Sequence, residues 1–198
     1  MKIGIISAGQ IGGTLTRRFT ALGYDVAVAN SRGPEPLAEL AAETDAKAVS
    51  VKDAAKFGEV VVVTIPEKNI PELPRDLFAE TPKRVVVIDT GNYYPLERDG
   101  RIDAIEAGLT ESRWVAQQLK RPVVKAFNNI RAEHLLKLGE PKGTRRRIAF
   151  PVAGDDRLDI ELLRSFVADD RRLFTTLTAD TLIGSAGNDL FFSGQLGR

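Results

Sequence analysis

Cysteine is absent from this chain of 198 residues. That excludes disulfides, thiolate metal sites and thiol nucleophiles. Histidine occurs once, at His134, so a Ser-His-Asp triad would have to run through it. The segment around it, Ala132–Leu138, reads as a helix in which a surface or capping role is the ordinary one. No apolar run approaches the roughly 18 residues that suggest a membrane span. The N-terminus leads straight into a strand and leaves no room for a signal peptide, so the expected location is the cytoplasm, with no membrane partner. The net charge is only +1, too small to suggest a nucleic-acid partner. The short run Arg145-Arg146-Arg147 reads as a solvated loop. What remains is 43% hydrophobic and 28% charged, the composition of a soluble globular domain with a sizeable core. No composition shift marks an internal boundary, so residues 1–198 are expected to form a single domain.

The chain alternates strand and helix patterns. Ile3–Ile6 is a short apolar run suited to a strand buried on both faces of a parallel sheet. Tyr24–Asn30 reads as the second strand. Pro34–Glu43 reads as a helix with Pro36 near its first turn. Ala46–Val49 is a weak third strand, and Ser50 caps a short helix running to Lys56. Glu59–Ile65, Arg84–Asp89 and Pro122–Phe127 are the next strands. Arg147–Ala153 is a seventh, demoted to a sheet edge by Pro151, and a helix follows from Asp156 to Val167. The expected fold class is α/β, a doubly wound, mostly parallel sheet.

The first strand runs into Ser7-Ala8-Gly9-Gln10-Ile11-Gly12. This is the G-x-G-x-x-G turn of dinucleotide sites with Ser7 in place of the first glycine. Gly9 stands where the backbone must approach a pyrophosphate, and Gly12 where the helix must pack closely on the strand. A helix follows to about Leu22, with Ile11, Leu15, Phe19 and Leu22 as its apolar stripe. Its first turn offers free N–H groups and a positive dipole end to an anion. The turn alone also suits a tight strand-to-helix connection that binds nothing. The end of the second strand favours a ligand. Asn30 lies about 20 residues on, where NAD sites carry an acidic residue for the ribose hydroxyls. A carboxylate there would repel a 2′-phosphate; here the position is neutral and is followed by Ser31 and Arg32. A hydroxyl and a guanidinium suit a phosphate, so NADP is the expected cofactor.

Ligands of open parallel sheets bind beyond the carboxyl ends of the strands. Those ends include Thr64-Ile65-Pro66-Glu67, Asp89-Thr90-Gly91-Asn92 and Phe127-Asn128-Asn129. Thr64, Ile65 and Pro66 would bring backbone against a ribose. Asn92 and Asn128 offer amides able to hold a carboxamide or ribose, or else bond their own backbone as loop asparagines do.

Ile3–Gly12, Asn30-Ser31-Arg32, Val87–Asn92 and Val124–Ile130 together resemble the NADPH-dependent coenzyme F-420 reductase family, over roughly Met1 to Asp156. The Lys125-Ala126-Phe127-Asn128 segment is more specific than the glycine turn. The resemblance implies a small Rossmann-type domain, often a homodimer, with NADP along the strand ends and a deazaflavin or flavin as second substrate. By position it assigns Ala8, Gly9, Gln10 and Ile11 to the pyrophosphate and Ser31 and Arg32 to the 2′-phosphate. Ile65-Pro66 and Phe127-Asn128 would border the nicotinamide. Hydride transfer between two rings needs aligned stacking more than an acid or base. A ketone or alcohol substrate would need a proton donor, for which Lys125 is the one candidate; a purely structural role for Lys125 stays open beside it. β-Hydroxyacid dehydrogenases, imine reductases and pyrroline carboxylate reductases open with a similar turn but need a large helical second domain. The residues after the sixth strand are too few to build one. Two other readings stay open: an NADPH-dependent reductase of another small acceptor, and a non-catalytic NADP(H)-binding redox-sensing module.

The segment 170–198 departs from that family. Gly184–Phe192 resembles one calcium-binding nonapeptide with Ser185 at its second glycine, and Asp180 and Asp189 are nine apart. One and a half such turns cannot close a calcium site, which needs several stacked turns. No metal is expected.

Overall fold

A computed structural model of the chain describes residues 1–139, 148 and 151–154. Seven strands form one sheet in the order β3-β2-β1-β4-β5-β6-β7. They are β1 (Lys2–Ile6), β2 (Asp25–Ala29), β3 (Lys47–Ala48), β4 (Val60–Val63), β5 (Val86–Asp89), β6 (Val124–Lys125) and β7 (Ala153–Gly154). All neighbours run parallel except β6 and β7, which pair antiparallel. The order reverses between β1 and β4, which is the topological switch point of a Rossmann sheet. The expected fold class therefore stands. The seventh strand, expected over Arg147–Ala153 with Pro151 inside it, is found among the described residues only at Ala153–Gly154, at the sheet edge. Pro151 precedes it and has no amide to give to a ladder.

The helices are α1 (Gln10–Ala21), α2 (Ala38–Thr44), α3 (Val51–Phe57), α4 (Asp103–Glu106), α5 (Glu111–Leu119) and α6 (Ala132–Lys137). The sheet separates two apolar layers. Alternation along the strands sends Ile3, Ile5, Val26, Val28, Val60, Val62 and Ile88 to one face, with Leu15 and Phe19 of α1 and Leu135 of α6. Val61, Val63 and Val87 go to the other, against Ala54 and Ala55 of α3 and Trp114 and Val115 of α5. Such two-sided burial is why β4 is four consecutive valines, all buried. Ser50 caps α3 by accepting from the Asp53 amide at 3.1 Å, and its hydroxyl donates back to the Asp53 carboxylate at 2.6 Å.

The expected alternation of strand and helix breaks between β4 and β5. That connection holds a 3₁₀ segment, Glu67–Glu72, with Pro71 inside it, and no α-helix. Pro66, Pro71, Pro74 and Pro82 each remove a backbone donor and constrain the preceding residue, so an α-helix cannot propagate here. Ile70, Leu77 and Phe78 of this connection are buried against the sheet in its place. The stretch expected as one helix, Pro34–Glu43, is a 3₁₀ turn, Glu35–Leu37, leading into α2. The third strand shrinks to two residues. The helix expected over 156–167 and the nonapeptide-like Gly184–Phe192 lie outside the described residues. No helix among the described residues is long and apolar enough to cross a membrane.

Candidate functional site

The carboxyl ends of β1, β2, β4, β5 and β6 share one edge of the sheet, and the expected site residues gather there. At the end of β1 the chain turns sharply. Ser7 takes φ +83°, the left-handed region, which explains why a glycine commonly occupies this position. The Ser7 amide donates to the Ala29 carbonyl at 2.7 Å. Its carbonyl accepts from the Thr64 hydroxyl at 2.8 Å, and the same hydroxyl lies 3.1 Å from the Ile6 carbonyl. Thr64 thus ties the turn to the end of β4 across the switch point.

The two glycines of the turn meet different surroundings. A Cβ on Gly12 would lie 1.9 Å from the Ser7 carbonyl oxygen and 2.6 Å from the Thr64 hydroxyl, so α1 sits on the turn only because that atom is missing. A Cβ on Gly9 would meet nothing closer than the Ser7 hydroxyl at 4.0 Å. Gly9 is exposed and caps α1 with no side-chain hydrogen bond. No acidic residue stands in the first turn of α1. Its leading N–H groups are therefore uncapped at the positive end of a twelve-residue helix, an arrangement suited to an anion. Ala8, Gln10 and Ile11 flank this open face. From it a groove of about 450 Å³ runs between α1 and α2, past Gly13, Thr14, Leu37 and Leu40. The Arg17–Glu43 ion pair, at 2.6 Å, also lines it.

Beyond β2, the Asn30 carboxamide oxygen accepts from the Arg32 amide at 2.8 Å. This local turn holds Ser31 and Arg32 outward, and both are exposed. The Arg32 side chain makes no ion pair among the described residues. Asp25, the only carboxylate of β2, is exposed at the start of the strand, at the opposite end from this loop, so no carboxylate of β2 opposes an anion here.

Ile65 and Pro66 are half-buried at the end of β4. Asn92 and Asn128 meet each other: the Asn92 amide donates to the Asn128 carbonyl at 2.8 Å, and the Asn128 amide to the Asn92 side-chain oxygen at 3.3 Å. They join the loops after β5 and β6 and remain only half-buried. Phe127 has φ +64° and is 1% exposed, with its ring edge-on to Phe19 in the core. Its backbone, not its ring, faces the strand-end edge.

Sequence reasoning missed how the polar residues beneath these loops are assembled. Lys125 of β6 is buried, with its ammonium 2.8 Å from Asp89 at the end of β5 and 3.2 Å from Glu111 in the first turn of α5. Glu67, after Pro66, is fully buried at 3.6 Å from the same ammonium, and neither of its oxygens has a hydrogen-bond partner. Burial alone would pull Lys125 down, but Asp89, Glu67 and Glu111 together outweigh it and hold it above its ordinary value. Lys125 is accordingly a locked ammonium, which favours its structural role over that of a proton donor. Burial, with the Asp89 charge adding to it, pushes Glu67 from 4.5 up to about 8, against the opposing pull of Lys125. Nearby Asp99 goes the other way. Burial raises it, but hydrogen bonds from Arg98 and from the Tyr94 and Lys68 amides more than compensate. The sequence signal for this cluster was present, as Glu67 and Asp89 both stand at strand ends. What was hidden was that a helix end would bring Glu111 to the same lysine. Among the described residues no group of His, Cys, Asp or Glu could hold a metal ion.

Residues 2–93 match the family model described as NADP oxidoreductase, coenzyme F-420-dependent. The match takes in the glycine turn, the Asn30–Arg32 loop, Ile65-Pro66 and Asn92. It stops before the Phe127-Asn128 segment. No curated protein matches the chain. Among solved structures, the hypothetical protein SMa0349 from Sinorhizobium meliloti superposes with a TM-score of 0.70 at 28% identity, over 85% of this chain and 80% of its own. A proposed F-420-dependent NADP reductase from Arthrobacter sp. FB24 follows at 0.67 and 18%, with the same coverage. A variant of the imine reductase from Myxococcus stipitatus, in complex with NAD+, gives 0.57 and 18%, over 84% of this chain but 50% of its own. The last two share the fold, and this chain spans about half the length of the imine reductase.

Proposed function

From this match to a family of NADP-dependent oxidoreductases, we propose that the chain binds NADP(H) along its strand-end edge and passes hydride between it and a deazaflavin or flavin. The observation that carries the reading is the contrast between the two glycines. Gly12 is required by the fold, whereas the space over Gly9 is left open beside uncapped amides and is explained by a ligand. A diphosphate fits that cradle by charge and by shape. Ser31 and Arg32 fit a 2′-phosphate, and the neutral Asn30 removes the repulsion an acidic residue would impose. When bound, the nicotinamide supplies or accepts the hydride. The protein's part is to fix the ring. Pro66 and the Phe127 backbone bound one side, and the Asn92–Asn128 pair presents a polar edge to a carboxamide. With Lys125 locked as an ammonium beneath the loops, the described site holds no lysine free to act as an acid toward a ketone. That favours a ring acceptor which stacks over one that must be protonated by the protein.

The test is an anaerobic spectrophotometric assay of NADPH with oxidised F-420, with FMN in parallel. Loss of the deazaflavin or flavin absorbance in step with NADPH oxidation is the expected result. Failure with both acceptors, in a preparation shown to bind NADP, would leave a dinucleotide-binding module and refute the transfer.

A further inference from the structure

Glu67 is the one member of the buried cluster that nothing satisfies. Lys125 faces it from β6, Asp89 from β5, Glu111 from α5 and Asp99 from the helical turn Pro95–Asp99 that follows β5. Asp89 accepts from Lys125 at 2.8 Å and from the Gly91 amide at 2.9 Å. Glu111 accepts from the Tyr93 amide at 3.1 Å and lies 3.2 Å from Lys125. Asp99 has Arg98 and two amides. Glu67, 0% exposed, has only the ammonium at 3.6 Å, beyond hydrogen-bond reach. An ionised Glu67 would place three carboxylates around a single ammonium, with no donor left for its own oxygens. Buried carboxyls so placed take up a proton.

Directly above this side chain lies Gly91. A Cβ there would stand 2.5 Å from a Glu67 carboxyl oxygen and 3.1 Å from Asp89, so the loop backbone rests on the Glu67 carboxyl itself. The next residue is Asn92, which is bonded to Asn128 and whose carbonyl accepts from the Arg98 guanidinium. The height and tilt of that asparagine pair are therefore set from below by a carboxyl that supports Gly91 and lies within the field of Asp89.

We infer that Glu67 is a positioning residue of the dinucleotide site and acts as the neutral acid, so that binding takes up a proton whenever Glu67 starts out ionised. Charge on Glu67 repels Asp89, loosens its hold on the Gly91 amide and displaces Asn92 with Asn128. It also adds a negative charge beneath an anionic ligand. The inference rests on the dinucleotide reading above, and the upward displacement of Glu67 to about 8 agrees with it.

The experiment is calorimetric titration of NADPH into the full chain and into Glu67→Gln across about pH 6.5–9.5, in two buffers of different ionisation enthalpy. The wild type should hold its affinity up to the region of pH 8 and lose about tenfold one pH unit above it, as the competent fraction falls. Over the same range it should take up a proton on binding. Glutamine keeps the shape and cannot ionise, so the variant's affinity, whatever its level at neutral pH, should stay flat, with no proton uptake from this site. Parallel profiles for the two proteins would overturn the inference. Absence of any NADPH binding at neutral pH would instead overturn the dinucleotide reading and this role with it. Should the variant fail to fold, infrared spectroscopy of the wild type decides the matter. A protonated-carboxyl band at neutral pH that disappears on raising the pH supports the inference, and its absence contradicts it.

Discussion

Replacing Glu67 by glutamine should abolish a specific pH dependence of folding stability. In the folded chain Glu67 is displaced from 4.5 to about 8, chiefly by burial. In the unfolded chain it returns to the ordinary value. Below the lower value both states hold the proton and nothing is lost. Between the two values the folded state keeps its proton while the unfolded state releases it, so stability falls as pH rises, at about 1.4 kcal/mol per pH unit. Above about 8 both states are ionised and the loss levels off. The full excursion is about 4–5 kcal/mol, of which about 3 is already lost at neutral pH. Relaxation around the buried charge reduces this, so a loss of about 2 kcal/mol at neutral pH is a sound lower expectation. Carboxylates drawn downward by their partners, such as Asp99, act in a separate window, losing their contribution only as pH falls through the acid range. Urea unfolding of both proteins at several pH values between about 5 and 8 isolates Glu67 as the difference between two slopes. The variant should be the more stable at neutral pH and the flatter across the range. Identical slopes would show that Glu67 is ionised in the fold and refute the reasoning.

Three further outcomes follow from the geometry of the turn. Gly9→Val, in open space and extended backbone, should change stability by no more than about 1 kcal/mol yet abolish NADPH binding, while Gly12→Ala should cost about 1–3 kcal/mol or more through the clash with the Ser7 carbonyl; urea unfolding and calorimetry on the same samples separate the two. Arg32→Ala should weaken NADP binding by about 1–3 kcal/mol and leave NAD binding nearly unchanged in parallel titrations, and equal losses would remove the 2′-phosphate from this loop. Ser7→Gly should stabilise the chain by up to about 1 kcal/mol by releasing a side chain from positive φ, read as a higher urea midpoint; destabilisation of that size would show that the serine hydroxyl holds the turn.

How much of this was legible in the sequence depended on the range of the interaction. β1, the turn, α1 and β2 are read from local patterns because a buried strand, a glycine turn and an amphipathic helix each leave a short-range signature. The valines of β4 and β5 likewise announce strands buried on both faces. The connection from β4 to β5 was taken for one more alternation of strand and helix, although Pro66, Pro71, Pro74 and Pro82 argue locally against an α-helix. Asn92 and Asn128 were each recognisable as strand-end polar residues, but their mutual hydrogen bonds span two loops and leave no local trace. The same holds for Lys125, for which a proton donor and a structural residue were both open. Its three carboxylates come from three other elements, and only the fold brings them together.

In the proposed complex the dinucleotide lies over Gly9 with its 2′-phosphate against Arg32. The most direct measurement is calorimetric titration of the full chain with NADPH and NADH side by side at neutral pH. Saturable binding of NADPH, tighter than NADH by about tenfold or more, is the predicted result. Equal affinities would contradict the phosphate assignment, and binding of neither would contradict the site.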